Sequence, residues 1–218
     1  MTSADLSARS LYGILDLGYV APADAPRVVQ QMLAGGVDIL QLRAKNHAPD
    51  EIIELAREIH RLTKTEHVPL VINDHPGVAR EIGAEGVHVG QDDLSIAAAR
   101  ELAGRGCFVG RSTHSLAQAT QAMEEGADYI GFGPLFATPT KKDYVPIGLA
   151  EIARVHELVH VPIFCIGGIK LHNLPEVLAA GATRIVIVSG LLQAPDIAQY
   201  AREAKALLTA SQPSTLNA

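Results

Sequence analysis

The sequence predicts a single (β/α)8 TIM barrel. Three observations predict it. Short β-branched runs alternate eight times with longer amphipathic stretches, small-residue turns recur just ahead of the strands, and no linker or break in composition interrupts the series. Parallel strands need helical crossovers, and eight such units close naturally into a barrel. An open doubly wound sheet is the alternative, but the count of eight and the lack of an opening GxGxxG phosphate turn weigh against it.

The strands are expected over 11–15, 37–42, 68–72, 86–89, 107–110, 129–132, 162–166 and 184–188. Between the second and third, the stretch 49–65 carries Ile52, Ile53, Leu55, Ala56 and Ile59 on one side, as an amphipathic helix does. Helix starts are marked by Asp24 ahead of Pro26, by Ser95 and Ser115, and by Asn173 with Pro175 soon after. Gly36, Gly83, Gly126 and Gly181 fall where a helix must end and reverse into a strand, a turn that favours a left-handed residue. The expected organisation is an N-terminal extension over 1–10, the barrel over 11–208 and a flexible C-terminal tail over 209–218.

Composition narrows the class. In 218 residues, 48% hydrophobic and 19% charged content supplies a folded core and argues against disorder. With 4% aromatic residues and no tryptophan, that core is expected to be aliphatic. No apolar run approaches the roughly 20 residues of a bilayer span, so no membrane role is expected. The first ten residues lack a secretory pattern, which points to the cytoplasm. A net charge of −6 disfavours nucleic acid as a partner. Cys107 and Cys165 are far apart, form no CxxC and read as core thiols in a reducing compartment. A barrel this short also suits pairing into a homodimer.

In this fold the chemistry gathers at the carboxyl ends of the strands. The second strand ends in Gln41-Leu42-Arg43-Ala44-Lys45. Alternation puts Gln41, Arg43 and Lys45 on one face and Leu40, Leu42 and Ala44 on the other. The apolar set suits the helices, leaving an amide and two cations for the mouth. An inward cation needs an anion to meet it, so either Arg43 pairs with a neighbouring carboxylate or the mouth binds an anionic ligand.

Asn73-Asp74 end the third strand and Gln91-Asp92-Asp93 follow the fourth. Carboxylates on adjacent loops suit a hard cation such as Mg2+ bridging a phosphate, although Asp and Asn also serve as ordinary turn formers. Spacing does not decide which of Asp92 and Asp93 faces inward. Ser112 follows the fifth strand, and Thr138, Thr140 and Lys141 lie in a long loop after the sixth, a length typical of functional lids. The last two strands end in Gly167-Gly168 and Val188-Ser189-Gly190, where backbone N–H groups can approach a phosphate. His88 and His114 read equally well as structural or mouth-facing, and the residues suggest no Ser-His-Asp arrangement.

Two anion sites follow: a cationic, metal-capable cluster and a neutral backbone site. No acid–base pair of carboxylates and no activated nucleophile accompany them. Such a mouth suits stabilisation of a departing diphosphate next to a second, phosphorylated substrate.

Taken in order, Gln41-Leu42-Arg43-x-Lys45, Asn73-Asp74, the run from Gly86 to Leu94, Gly110-x-Ser112-x-His114-Ser115, Thr138-Pro139-Thr140-Lys141, Ile166-Gly167-Gly168-Ile169 and Val188-Ser189 resemble the thiamine phosphate synthase family. The likeness runs from about Leu11 to Leu208, with Asp92 standing where the family usually has Glu. It implies condensation of 4-amino-2-methyl-5-hydroxymethylpyrimidine diphosphate with a thiazole phosphate, giving thiamine phosphate and diphosphate. By the same likeness, Gln41, Arg43, Lys45 and Asn73 hold the pyrimidine diphosphate, Asp74 and Asp93 bind Mg2+, and Ser112 and Lys141 contact the diphosphate. Thr138, Thr140, Gly168, Val188 and Ser189 would cradle the thiazole phosphate.

A related subgroup that tautomerises the thiazole or regulates carries histidine where this chain has Pro134. Two other classes stay open at this point: a phosphosugar isomerase or epimerase, which would need an acid–base pair, and a non-catalytic metabolite binder.

Overall fold

The computed structural model describes residues 3–138 and 145–211. After a short helix α1 (Ser3–Ser7), strands β1 (Leu11–Asp16), β2 (Ile39–Arg43), β3 (Leu70–Asn73), β4 (Gly86–Val89), β5 (Phe108–Thr113), β6 (Tyr129–Phe132), β7 (Ile163–Cys165) and β8 (Ile185–Ile187) form a closed, all-parallel barrel in sequence order. Leu11 of β1 lies opposite Ile185 of β8, which closes it. The crossovers are α2 (Ala25–Ala34), preceded by a 3-10 turn, α3 (Pro49–Thr65), α4 (Pro76–Ile82), α5 (Ile96–Ala103), α6 (Leu116–Glu124), α7 (Ile152–Leu158) and α8 (Leu174–Ala179). Two helices follow β8: α9 (Ser189–Leu192) and α10 (Ile197–Ser211). All eight expected strands are present, and α3 has the expected bounds. Helix α10 continues through 211, into the first three residues of the expected tail. Among the described residues, no helix is long and apolar enough to cross a membrane.

Strand alternation sorts the core into two layers. Leu40, Leu42, Val87, Val89, Val109 and Ile130 point outward into an aliphatic shell shared with the helices. Tyr12, Ile14, Ile39, Val71, Phe108, Tyr129, Phe164 and Val186 point inward, and Leu6 of α1 joins them. The expectation of an aliphatic core therefore holds for the shell apart from Phe132, while the centre mixes aliphatic and aromatic side chains. Four rings, on β1, β5, β6 and β7, share the interior with Ile14, Ile39, Val71 and Val186 and pack there edge-to-face or tilted.

The floor of the barrel is fastened by a repeated device. Asp38, Glu85 and Asp128 each stand just ahead of a strand and accept an N–H at the start of the preceding one: Leu11 at 2.9 Å, Leu70 at 2.9 Å and Val109 at 2.7 Å. Lys205, His60 and Arg100 respectively meet the same carboxylates. These acids are thus fully used at the end opposite the mouth. Of the expected helix caps, Ser95 and Ser115 accept the N–H of Ala98 and Gln118, each at 3.2 Å. Asp24 instead meets Arg27, and Asn173 ties down the β7 loop, accepting from Lys170 N at 2.7 Å and donating to Gly168 O at 3.0 Å.

Candidate active site

The carboxyl ends of the strands surround a cavity of about 470 Å³, a size suited to a small molecule. Its wall includes Gln41, Arg43, Lys45, Asn73, Asp74, Asp93, Ser112, Thr138, Gly168, Val188 and Ser189. These are all the sequence-derived candidates except Thr140 and Lys141, which lie outside the described residues. Strand alternation is what gathers Gln41, Arg43 and Lys45, while Leu40, Leu42 and Ala44 turn into the shell.

Arg43 is not a free cation. Its Nη1 donates to Asp16 Oδ2 at 2.6 Å, across the paired ends of β1 and β2. Asp16 is nearly inaccessible, and its other oxygen accepts the Gly18 N–H at 2.8 Å. The neighbouring-carboxylate reading of Arg43 therefore holds alongside its place in the cavity wall. Lys45 lies further out and is exposed.

Asp74 and Asp93 meet at the rim, and Asp92 lines the same cavity without touching that pair's hydrogen bond. Asp93 Oδ2 accepts the Gly90 N–H at 2.7 Å. The loop holding it is pinned by Arg111, which donates to Leu94 O at 2.8 Å and Gln91 O at 3.2 Å, and by Gln91 Nε2, which donates to Ser112 O at 2.5 Å. Asp74 adopts the left-handed region at φ +61°, a conformation Asp tolerates better than most residues. Burial, and then the hydrogen bond and charge of Asp93, push the Asp74 carboxyl up to about 6. For Asp93, burial acts upward but is outweighed by the Gly90 N–H, Asp74 and Lys45, leaving its carboxyl below the usual range. Two carboxylates in this contact share a proton unless a cation separates them. The oxygen-only donor pair fits a hard divalent ion. Among the described residues no cluster of three or more His, Cys, Asp or Glu is suited to a metal, so further ligands would come from bound phosphate and water.

His88 is buried under the cavity, with Nε2 2.9 Å from Ser112 Oγ and Nδ1 2.9 Å from Tyr129 Oη. A Ser–His contact therefore exists, unlike the sequence expectation, but a neutral phenol stands where a triad has a carboxylate. His114 faces the Gly133 carbonyl and lines the same wall. Gly167 and Gly168 have φ of +100° and +69°, and the β6 loop crosses directly over them. Leu135 N reaches Ile166 O at 2.9 Å and Phe136 N reaches Gly167 O at 3.0 Å, so a side chain on either glycine would strike that loop. Close approach of chain to chain requires these glycines before any ligand does.

The thiamine monophosphate synthase family profile matches residues 11–191, nearly the whole barrel. The chain belongs to this family. The thiamine-phosphate synthase of Halalkalibacterium halodurans is 44% identical over 188 residues, covering 86% of this chain and 89% of the relative. That of Chloroflexus aurantiacus is 40% identical over 217 residues, covering 99% and 100%. The solved thiamine phosphate pyrophosphorylase from Pyrococcus furiosus superimposes with a TM-score of 0.87 at 30% identity, over 95% of this chain and 98% of its own. A thiamine-phosphate synthase is a transferase of thiamine biosynthesis, and the cavity described above occupies the mouth of such a barrel.

Proposed function

We propose that this chain condenses 4-amino-2-methyl-5-hydroxymethylpyrimidine diphosphate with a thiazole phosphate, releasing diphosphate and forming thiamine phosphate. The observation that carries the reading is the contact of Asp74 with Asp93 beside Lys45 and Arg43 on one cavity wall, together with family membership. A metal-capable acid pair next to cations matches a diphosphate leaving group, whereas an isomerase needs an acid–base pair.

In the proposed mechanism, Gln41 and Asn73 orient the pyrimidine, while Arg43, Lys45, Ser112 and Lys141 hold the diphosphate. Charge-assisted hydrogen bonds of this kind contribute about 1.5–3 kcal/mol each. Asp74 and Asp93 would hold Mg2+, which, when bound, offsets the negative charge of the leaving diphosphate. The methylene C–O bond breaks with its electron pair leaving on the diphosphate, and the pyrimidine delocalises the resulting cation. The thiazole nitrogen then supplies its lone pair to form the new C–N bond. Thr138, Thr140, Gly168, Val188 and Ser189 fix the thiazole phosphate opposite. Pro134, also in the wall, offers no proton-transfer group, which favours synthesis over tautomerisation. The two free, buried cysteines suit a reducing cytoplasm.

Incubating the protein with both substrates and Mg2+ and following diphosphate release tests the proposal. Release that depends on both substrates is expected. A protein that binds the thiazole phosphate yet releases none would be a binder, and turnover of a sugar phosphate instead would make it an isomerase.

A further inference from the structure

Beneath the cavity, a row of polar side chains crosses the barrel from one candidate substrate contact to another. Gln41 Nε2 lies 2.8 Å from Tyr12 Oη, Tyr12 Oη lies 3.0 Å from Tyr129 Oη, Tyr129 Oη lies 2.9 Å from His88 Nδ1, and His88 Nε2 lies 2.9 Å from Ser112 Oγ. Apolar Ile14, Phe108, Phe164 and Val186 pack around the two phenols, which lie at the cavity floor with only 1% of their surface exposed.

The direction of each bond follows from counting protons. An amide nitrogen only donates, so the Tyr12 oxygen receives from Gln41. Tyr12 then has one proton to give, and the Tyr129 oxygen is its acceptor. Pointing that proton elsewhere would strand it among apolar side chains. Tyr129, having accepted, gives its own proton to His88 Nδ1, which must therefore be bare. His88 carries its proton on Nε2 and donates to Ser112 Oγ. Of the hydroxyl and imidazole protons only that of Ser112 is left over, and Ser112 is in the cavity wall, as is Gln41 with its second amide proton. Burial pushes both phenols above their ordinary range, so both protons stay in place. The reverse order would need Gln41 to turn its carbonyl toward Tyr12, and it would spend the Ser112 proton on His88, leaving only lone pairs to face an anion.

We propose that Tyr12, Tyr129 and His88 are positioning residues. Their one-way hydrogen-bond chain fixes His88 as the Nε2-protonated tautomer and so obliges Ser112 to donate its hydroxyl proton into the cavity, toward a diphosphate oxygen. The last link rests on the reading of Ser112 as a diphosphate contact; the rest of the chain does not.

The tautomer is read directly from long-range proton–nitrogen NMR of ligand-free protein labelled with 15N histidine, the His88 signals being identified by their loss in His88→Gln. A bare Nδ1 and a protonated Nε2 are expected, and the opposite pattern overturns the proposal. Tyr129→Phe keeps the ring but cuts the chain. Mixed His88 tautomers and inorganic diphosphate binding weaker by about tenfold are expected, roughly the worth of one well-oriented hydrogen bond. Adding Ser112→Ala to Tyr129→Phe should then cost much less than Ser112→Ala alone. Full additivity, or an unchanged His88 spectrum in Tyr129→Phe, overturns the proposal. Wild-type protein that shows the expected tautomer yet ignores diphosphate overturns the last link, and with it the Ser112 assignment, while leaving the order of protons intact.

Discussion

Asp16 and Arg43 face each other at the carboxyl ends of β1 and β2, with 2.6 Å between Oδ2 and Nη1, and Asp16 is almost wholly shielded from solvent. The pair holds one arm of the guanidinium and leaves the rest of Arg43 in the cavity wall.

Asp16→Asn should therefore act through Arg43. The amide retains an oxygen acceptor but not the charge, so the stability loss is expected below the about 3–5 kcal/mol of breaking a buried ion pair outright. The KM for the pyrimidine diphosphate is expected to rise about tenfold, as a charge-assisted bond loses its geometry, with little change in the KM for the thiazole phosphate. Steady-state kinetics with each substrate varied in turn separates the two. Equal rises in both would mean that Asp16 only supports the fold.

What the sequence shows and hides follows from the reach of its local rules. Gln41, Arg43 and Lys45 are legible because side-chain alternation within one strand decides their face without reference to any other strand. Asp16 is hidden because its partner belongs to β2, and the register that sets Asp16 against Arg43 exists only once the sheet closes. The same limit hides the contact of His88 with Ser112, which sit on neighbouring strands, and the aromatic interior. Asn173 has the sequence position of a helix cap, but the demands of the β7 loop claim both ends of its side chain. Gly167 and Gly168 are visible as a turn, yet the β6 loop that makes them necessary is distant in sequence.

The contact of Asp74 with Asp93 gives a pH prediction for metal binding. With the Asp74 carboxyl raised to about 6, first by burial and then by Asp93, the metal-free site holds a proton below that pH. A divalent cation needs the ionised form, so binding must displace the proton. Mg2+ affinity is expected to fall as pH drops through about 6, and calorimetry at the lower pH should show proton release that disappears at pH about 8. Asp74→Ala should abolish this linkage and lower turnover far more than it weakens thiazole phosphate binding. Loss of thiazole phosphate binding with turnover preserved would show that Asp74 belongs to the other site.

Cys107, Cys165, Tyr12 and Tyr129 set the behaviour at high pH. Burial raises all four, Cys107 to about 11 and Cys165 to about 12. Because the folded chain keeps protons that the unfolded chain releases, stability falls as pH rises above the ordinary thiol range of about 8.5. Urea midpoints should decline from pH about 8 to 10. At pH about 8 an alkylating reagent should leave both thiols untouched in the native protein and modify both in denaturant. Rapid native labelling of Cys165 would contradict its burial.

Two glycine-to-alanine substitutions should differ in sign. At Gly110 of β5 a methyl group would run into the Tyr129 ring. Phe108, Phe164 and Tyr12 stand 5.9, 5.6 and 6.0 Å from that ring between centroids, so it yields only by shifting these neighbours or by moving into the cavity it lines. Overpacking of this kind costs about 1–3 kcal/mol, so Gly110→Ala should unfold at lower urea concentration. Displacing Tyr129 also disturbs His88, so diphosphate affinity should fall with it. At Gly77, in α4, nothing stands within 4 Å of the added methyl group and the backbone lies outside the left-handed region. There the gain is the lost freedom of the unfolded chain, about 0.4–1 kcal/mol, so Gly77→Ala should raise the midpoint and leave activity unchanged. A neutral Gly110→Ala would mean that the interior rings are looser than their spacing indicates, and the hydrogen-bond chain they confine would lose its support.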